Sequence, residues 1–236
     1  MAQPGLVEKF TAAGGSFVTP VEELIQKLDE CRAVVFDWDG VFNAGRKGQA
    51  SSSGFSEVDS MGTNMLRYGL WRRQGELPYT AIISGENNES AIAFAEREHL
   101  TASYTGIRSK QHVIEHLCGE HDLKPAQIAC VFDDINDLPM AEVCGIRFMV
   151  RCSASLMFAD YVERRDLYDY VTGAESGGYP VREVCELSLG LMGAFDDVVE
   201  SRVAWDAEYE RYFKARQAAV TRLFGQDDNA IVLRDW

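Results

Sequence analysis

The sequence predicts an α/β protein built on a parallel sheet flanked by helices. Three observations carry that prediction. Short apolar runs alternate with helix-like stretches through most of the chain. Several of those runs end in small polar or acidic residues, as in Phe36-Asp37-Trp38-Asp39-Gly40, Ile83-Ser84-Gly85 and Phe132-Asp133-Asp134. No internal repeat or low-complexity tract interrupts the alternation.

The elements follow in order. Residues 1–19, rich in Gly and Ala, read as a loose leader. Thr19-Pro20-Val21-Glu22-Glu23 offers an N-cap, a proline at the first helical position and early acids, so a helix starts there and runs to about Cys31. The apolar run from Ala33 feeds a buried strand ending at Asp37. Residues 42–58, with Asn43-Ala44-Gly45-Arg46-Lys47-Gly48 and Ser51-Ser52-Ser53-Gly54, are turn-rich and predict a small β-hairpin flap. A helix from about Met61 to Arg73 places Met61, Met65, Leu66 and Leu70 on one face. The strand Tyr79–Ser84, a helix over about 87–98, a strand near 102–104 and a helix over about 110–120 come next. Ile128–Phe132 and Ile146–Val150 are further strands, separated by a short helix.

From about Val181 to Phe224 the chain lacks helix breakers apart from Gly190 and Gly193. Apolar residues there recur at spacings near three and four, which predicts a long amphipathic helix, roughly 45 Å if 30 residues are helical. Its apolar face covers either the domain's own core or a second subunit. The chain thus divides into a leader (1–19), a core (20–192) and a C-terminal helical extension (193–236).

Composition narrows the function. The chain has 236 residues and a formal net charge of −14, from 37 acidic against 23 basic residues, which argues against a nucleic-acid surface. Nothing in it reads as a signal peptide or a membrane span, so a cytoplasmic protein is expected. Its six cysteines form no Cys-x-x-Cys pair and read as buried free thiols.

The chemistry gathers at four strand ends. Asp37 and Asp39 end the first, Ser84 and Gly85 the second, and Lys110 opens the helix after the third. Asp133, Asp134 and Asp137 follow the fourth. A parallel sheet puts ligand sites at the C-terminal ends of its strands. A carboxylate pair there can hold a hard cation, act as nucleophile or move a proton. Combined with a lysine and a hydroxyl, the set suits phosphoryl transfer, in which phosphate charge must be neutralised before a carboxylate attacks.

These motifs resemble the haloacid dehalogenase-like (HAD) phosphatase superfamily. Asp37-Trp38-Asp39-Gly40-Val41, Ile82-Ile83-Ser84-Gly85, Lys110 and Asp133-Asp134-x-x-Asp137 stand for its four motifs. The resemblance implies a Rossmann-like HAD fold, Asp37 as nucleophile and Asp39 as general acid/base. It implies Mg²⁺ held by Asp37, Asp133 and the main-chain carbonyl of Asp39. Asp134 or Asp137 would support the metal shell or the lysine, and Ser84, Gly85 and Lys110 would bind phosphate. Residues 30–192 look most like the 3-deoxy-D-manno-octulosonate 8-phosphate phosphatase group and its nine-carbon relatives. Phe55-x-x-x-Asp59-x-x-Gly62, Gly106 and Gly177-Gly178-Tyr179-Pro180 carry that likeness. That group has no large cap domain and assembles as tetramers, so a homo-oligomer, with a tetramer favoured, is expected. The short spacers after Gly40 and Ser84 leave no room for a cap.

Two departures stand out. Phe132 occupies a position where the group has Gly. Glu86 follows Ser84-Gly85 where the eight-carbon phosphatases carry Arg. Glu86 and Asp59-Ser60 look more like the branch acting on deaminoneuraminate 9-phosphate, against the plainer reading of Glu86 as a surface acid. Arg182 could pair with a sugar carboxylate or make a structural ion pair. Arg46 and Lys47 could contact an anionic substrate or form a solvated tip, and the serine run reads as a mobile loop. His112-x-x-x-His116 has metal-ligand spacing but no third ligand, so it reads as a solvated helix face. The expected activity is Mg²⁺-dependent hydrolysis of a small phosphorylated sugar acid through an aspartyl phosphate. The alternatives are a phosphatase for another small phosphometabolite, or a non-catalytic binding or assembly protein on the same fold.

Overall fold

A computed structural model describes residues 2–47 and 53–234. The elements run α1 (Leu6–Ala12), β1 (Ser16–Phe17), α2 (Val21–Glu30), β2 (Ala33–Asp37), α3 (Glu57–Gln74), β3 (Tyr79–Ile83), α4 (Glu89–Arg97) and β4 (Ala102–Tyr104). They continue α5 (Lys110–His121), β5 (Ile128–Phe132), α6 (Leu138–Ala141), β6 (Ile146–Arg151), α7 (Leu156–Glu163), β7 (Tyr170–Glu175) and α8 (Pro180–Leu191). The chain closes with α9 (Phe195–Ala204), α10 (Ala207–Ala218), β8 (Arg222–Asp227) and β9 (Ala230–Leu233).

The strands form one sheet in the order β1-β7-β6-β5-β2-β3-β4-β8-β9. All neighbours are parallel except β1–β7 and β8–β9. The chain order reverses between β2 and β5, so the predicted site falls at the switch point of the sheet. The central strands β2, β3 and β5 are buried along their whole length. Burial on both faces explains why their sequences are continuous apolar runs rather than alternating ones.

Three expectations need correction. The leader is ordered. Leu6 of α1 is buried over Gly190 of α8, and β1 pairs antiparallel with β7, where Phe17 packs edge-on against Tyr170 at 4.8 Å. The C-terminal extension is not one long helix. Gly193 and Trp205 adopt left-handed conformations (φ 65° and 49°) that separate α8, α9 and α10, and the residues after α10 add two strands to the sheet. The apolar face of α9 and α10 lies on α3 of the same chain, with Tyr68 packed against Tyr209 and Tyr212 at 5.1 and 4.9 Å. In the flap, residues 42–47 and 53–56 hold no strand, and Glu57 and Val58 already belong to α3. Gly48, Ser51 and Ser52 lie outside the described residues.

The helix predicted at Met61 begins four residues earlier because the Ser56 side chain caps it, accepting from the Val58 amide at 3.0 Å. Met61 is exposed rather than on the core face with Met65, Leu66 and Leu70. His112 and His116 are half-buried under β8, not solvated: His116 packs edge-on against Phe224 at 4.9 Å, and His112 meets the Gln226 amide at 3.1 Å. Cys31, Cys130, Cys144 and Cys185 are buried free thiols, while Cys118 and Cys152 are partly exposed.

Candidate active site

β2 ends at Asp37, and its register against β3 and β5 sets the Asp37 carboxylate beside the loops that leave those strands. Gly40 makes the turn with φ 93°, and a Cβ there would lie 1.9 Å from Asp133 Oδ2. The glycine of Asp-x-Asp-Gly is therefore what lets the second acidic cluster close on the first. Phe132 takes the last position of β5 fully buried in the core. The loop after it still turns tightly, because the backbone amides of Asp133 and Asp134 both donate to Asp137 Oδ2, at 3.2 and 3.1 Å. The core takes up the bulky residue, and the acids that follow it still converge on Asp37.

Lys110, at the first position of α5 and buried, donates from Nζ to both Asp37 Oδ1 and Asp137 Oδ1. Asp37 and Asp137 are buried as well. Burial works against the lysine charge, but the two carboxylates more than offset it and hold the ammonium above the ordinary lysine range. Burial pushes Asp37 up to about 7; Lys110 opposes this and Asp137 adds to it. Asp133 is raised further, to about 9, by burial and then by Asp37 and Asp137. Oxygens of Asp37, Asp133 and Asp137 lie within 4.8 Å of one another, and Asp133 Oδ1 is buried with no hydrogen-bond partner. One ammonium for three crowded carboxylates leaves a deficit of positive charge, and an orphaned carboxylate oxygen marks where a cation fits. Both Asp137 oxygens are already engaged, which suits a supporting role. Asp134 bonds the Ile135 amide at 2.8 Å and points to the same role.

Asp39 sits in a different setting. Lys47 Nζ donates to its Oδ2 and Ser53 Oγ to its Oδ1, the latter at 2.7 Å. Ser53 is buried and receives Trp38 Nε1 at 2.9 Å and Asn88 Nδ2 at 3.2 Å. The last of the three serines is thus a fixed part of the site rather than a mobile loop. Lys47, one of two cations offered for an anionic substrate, reaches the proton-transfer candidate itself. Ser84, after β3, has its Oγ buried without a partner. Asp37, Asp39, Lys47, Lys110, Asp133 and Asp137 floor a cavity of about 660 Å³. Gly85, Glu86 and Arg108 line its wall.

Two proposed specificity residues lie elsewhere. Asp59 is buried between α3 and α8, where Oδ1 accepts from the Arg182 amide at 2.9 Å in the first turn of α8. Arg182 pairs its side chain with Glu186 at 2.5 Å. A Cβ on Gly62 would lie 3.0 Å from Arg182 Cα. The Asp59-x-x-Gly62 pattern is therefore a device for close helix packing within this chain. Sequence reasoning missed Arg108, Asn88 and the role of Ser53. Asn88 was findable as the N-cap of α4, since its side chain accepts from the Ser90 amide at 3.1 Å. Ser53 had no local signal: its partners come from the turn after β2 and the N-cap of α4.

No family model matches the chain. It is 28% identical over 194 residues to the 3-deoxy-D-manno-octulosonate 8-phosphate phosphatase of Escherichia coli K12, covering 78% of this chain and 95% of that protein. A probable YrbI family phosphatase from Pseudomonas syringae superposes with a TM-score of 0.64 at 26% identity, over 77% of this chain and 98% of that one. The magnesium, phosphate and KDO complex of the octulosonate 8-phosphate phosphatase from Moraxella catarrhalis shares the fold, with a TM-score of 0.63 at 22% identity over 76% of this chain and 98% of that one.

Proposed function

Taking the chain as a haloacid dehalogenase-like phosphatase, which its relatives and its fold make it, we propose that it hydrolyses a small phosphorylated sugar acid through a phosphoryl group carried on Asp37. The single observation that carries this reading is the buried Asp37–Lys110–Asp137 network beside Asp133, at the sheet's switch point and open to one cavity. Among its relatives are octulosonate 8-phosphate phosphatases, which supports the substrate class.

An Asp37 carboxylate oxygen attacks phosphorus as the ester P–O bond breaks. Asp39 gives its proton to the leaving alkoxide and then takes one from the water that hydrolyses the aspartyl phosphate. Ser53 and Lys47 hold Asp39 for both transfers. Ser84 and the Gly85 turn receive phosphate oxygens, and Lys110 opposes the pull of burial on Asp37. Asp37, Asp133 and, as the resemblance implies, the Asp39 main-chain carbonyl would hold Mg²⁺, which when bound would neutralise phosphate charge and draw the acids back toward their ionised range. Glu86 and Arg108, on the cavity wall, are the residues placed to choose among sugar acids. By its resemblance to the tetrameric enzymes the protein forms a homotetramer, which light scattering checks.

Hydrolysis of p-nitrophenyl phosphate with and without Mg²⁺ tests the core of the reading, and turnover on no phosphoester with metal supplied overturns it. A panel of eight- and nine-carbon sugar-acid phosphates tests the substrate class. Equal rates on unrelated phosphometabolites would favour the broader phosphatase.

A further inference from the structure

A second cavity, of about 220 Å³, lies among α3, the end of α4, α9 and α10. Arg97, Arg202 and Arg216 line it from three elements, in a chain whose net charge is −14. Arg97 is already neutralised. It grips Glu57 with two nitrogens at 2.6 and 2.7 Å and lies 3.3 Å from Glu98, which also accepts from Ser60 and Asn64 at 2.8 and 2.6 Å.

Arg202 and Arg216 differ. Neither forms an ion pair among the described residues, although Arg216 gives one bond to Asn64 Oδ1 at 2.7 Å. Aromatic rings fix both guanidinium groups. Arg202 lies 4.9 Å from the Trp205 ring centre and 5.0 Å from that of Tyr209, and Arg216 lies 5.5 Å from that of Phe213. The Nε of each is buried with no acceptor. Charged donors left without acceptors are costly, so such groups call for an explanation. The catalytic cavity carries the same mark at Asp133 Oδ1, where a cation is expected. A further arginine, Arg67, lies buried behind the second cavity; burial holds it below the ordinary arginine range, Arg216 adds to the effect, and Tyr212 and Glu98 oppose it. Glu57 and Glu98, both held by Arg97, line the cavity together with Ser60 and Asn64, and the rest of the wall is apolar, from Met61, Met65, Tyr209 and Phe213.

We propose that this cavity is a binding site for a compact organic anion, with its carboxylate or phosphate on Arg202 and Arg216 and a small apolar body against Tyr209, Phe213 and Met61. The volume falls below the roughly 300–1,000 Å³ of typical drug-sized sites, which limits the body to about one ring. Fixed guanidinium forks recognise planar or tetrahedral oxyanions, and the rings behind them reward an apolar group over a bare ion. None of the residues in this site serves the phosphatase chemistry.

Calorimetric titration of the full chain with benzoate, phenylphosphonate, acetate and inorganic phosphate tests the site, with Mg²⁺ present. Benzoate or phenylphosphonate should bind saturably, and the preferred one identifies the oxyanion. Acetate, and the part of phosphate binding that Arg202→Met removes, should be at least about tenfold weaker. Arg202→Met and Arg216→Met should each weaken the preferred ring-bearing probe by about tenfold or more, and Arg202→Lys by less, because lysine keeps the charge and loses the fork. Unchanged p-nitrophenyl phosphate hydrolysis in these variants shows that they fold and that the catalytic cavity is not what the probe occupies. No saturable binding, equal affinity in wild type and variants, or acetate bound as tightly as benzoate would each overturn the proposal.

Discussion

Asp169 and Asp133 are both enclosed acids on one sheet, at opposite ends of its strands, and the fold treats them in opposite ways. Asp169, just before β7, is fully buried and accepts from Thr19 Oγ1 at 2.6 Å, Lys27 Nζ at 2.9 Å, and the backbone and side chain of Arg147 at 2.7–3.2 Å. Burial opposes its charge, yet the bonds from Arg147, Thr19 and Lys27 outweigh burial and hold it below the usual carboxylate range. Asp133, just after β5, has an orphaned oxygen and like-charged neighbours, and it is held near 9. The scaffold acid is saturated with donors; the site acid is left short of them. A carboxylate that the fold buries without satisfying it is one whose partner comes from outside.

The largest effect belongs to the nucleophile. Asp37→Asn should lower turnover on any phosphoester by about 10⁴-fold or more while the protein stays folded, because the change removes the attacking oxyanion and keeps the shape. Circular dichroism and steady-state kinetics read the two sides, and a variant that keeps its activity would show that Asp37 is not the nucleophile.

A paired experiment then separates scaffold from site. Asp169→Asn should destabilise the fold by about 3 kcal/mol at neutral pH, since Lys27 and Arg147 lose a buried counter-charge. Asp169 has a depressed folded pKa, so its contribution is present above the ordinary aspartate pKa and is lost as the pH falls through the folded value. The penalty should therefore shrink in acid. Asp133→Asn should do the reverse in metal-free protein. It removes a charge the fold disfavours, so thermal stability should rise, and rise most at alkaline pH. Melting curves of both variants with a chelator present decide this; if both lose stability equally, the contrast between the two acids is wrong.

Ser53 tests how finely the site is held. If it positions Asp39 for proton transfer, Ser53→Ala should cost about 10²-fold in kcat/KM on an alkyl phosphate, whose leaving group needs the proton. On p-nitrophenyl phosphate, whose leaving group needs little help, the loss should be several-fold at most. Equal losses on both would assign Ser53 to structure alone.

What the sequence made legible follows from how each feature is encoded. Asp37, Asp39, Ser84, Lys110, Asp133 and Asp137 each follow a continuous apolar run or open a helix, and parallel topology then brings strand ends together. Local pattern suffices for these. Ser53 acts through Trp38 and Asn88, which are distant in sequence, so only the folded chain reveals it. The extension misled because apolar spacing says which residues are inward and not where a helix stops. Trp205 takes a left-handed conformation that glycine usually supplies, and β8 joins the sheet through parallel pairing with β4, about 120 residues earlier. Asp59 and Arg182 misled in another way: a carboxylate that fastens two helices through a backbone amide, and an arginine paired along its own helix, look in sequence like groups that grip a ligand.

Asp59 therefore belongs with the scaffold, yet its environment resembles the site's, and that makes it the most delicate test of the contrast. Burial raises it to about 6, against the pull of the Arg182 amide and guanidinium. The folded chain thus keeps a proton that the unfolded chain gives up near pH 3.8. Its contribution to stability is fully present below that value, declines as the pH climbs, and is gone above about 6. An asparagine keeps the acceptor for the Arg182 amide and carries no charge to bury. Asp59→Asn should accordingly leave activity intact and raise the melting temperature by a few degrees at pH 8, with little change at pH 4. A loss of stability at pH 8 would mean that the charge itself, facing the first turn of α8, is what fastens α3 to α8; a loss of substrate selectivity would return Asp59 to the site.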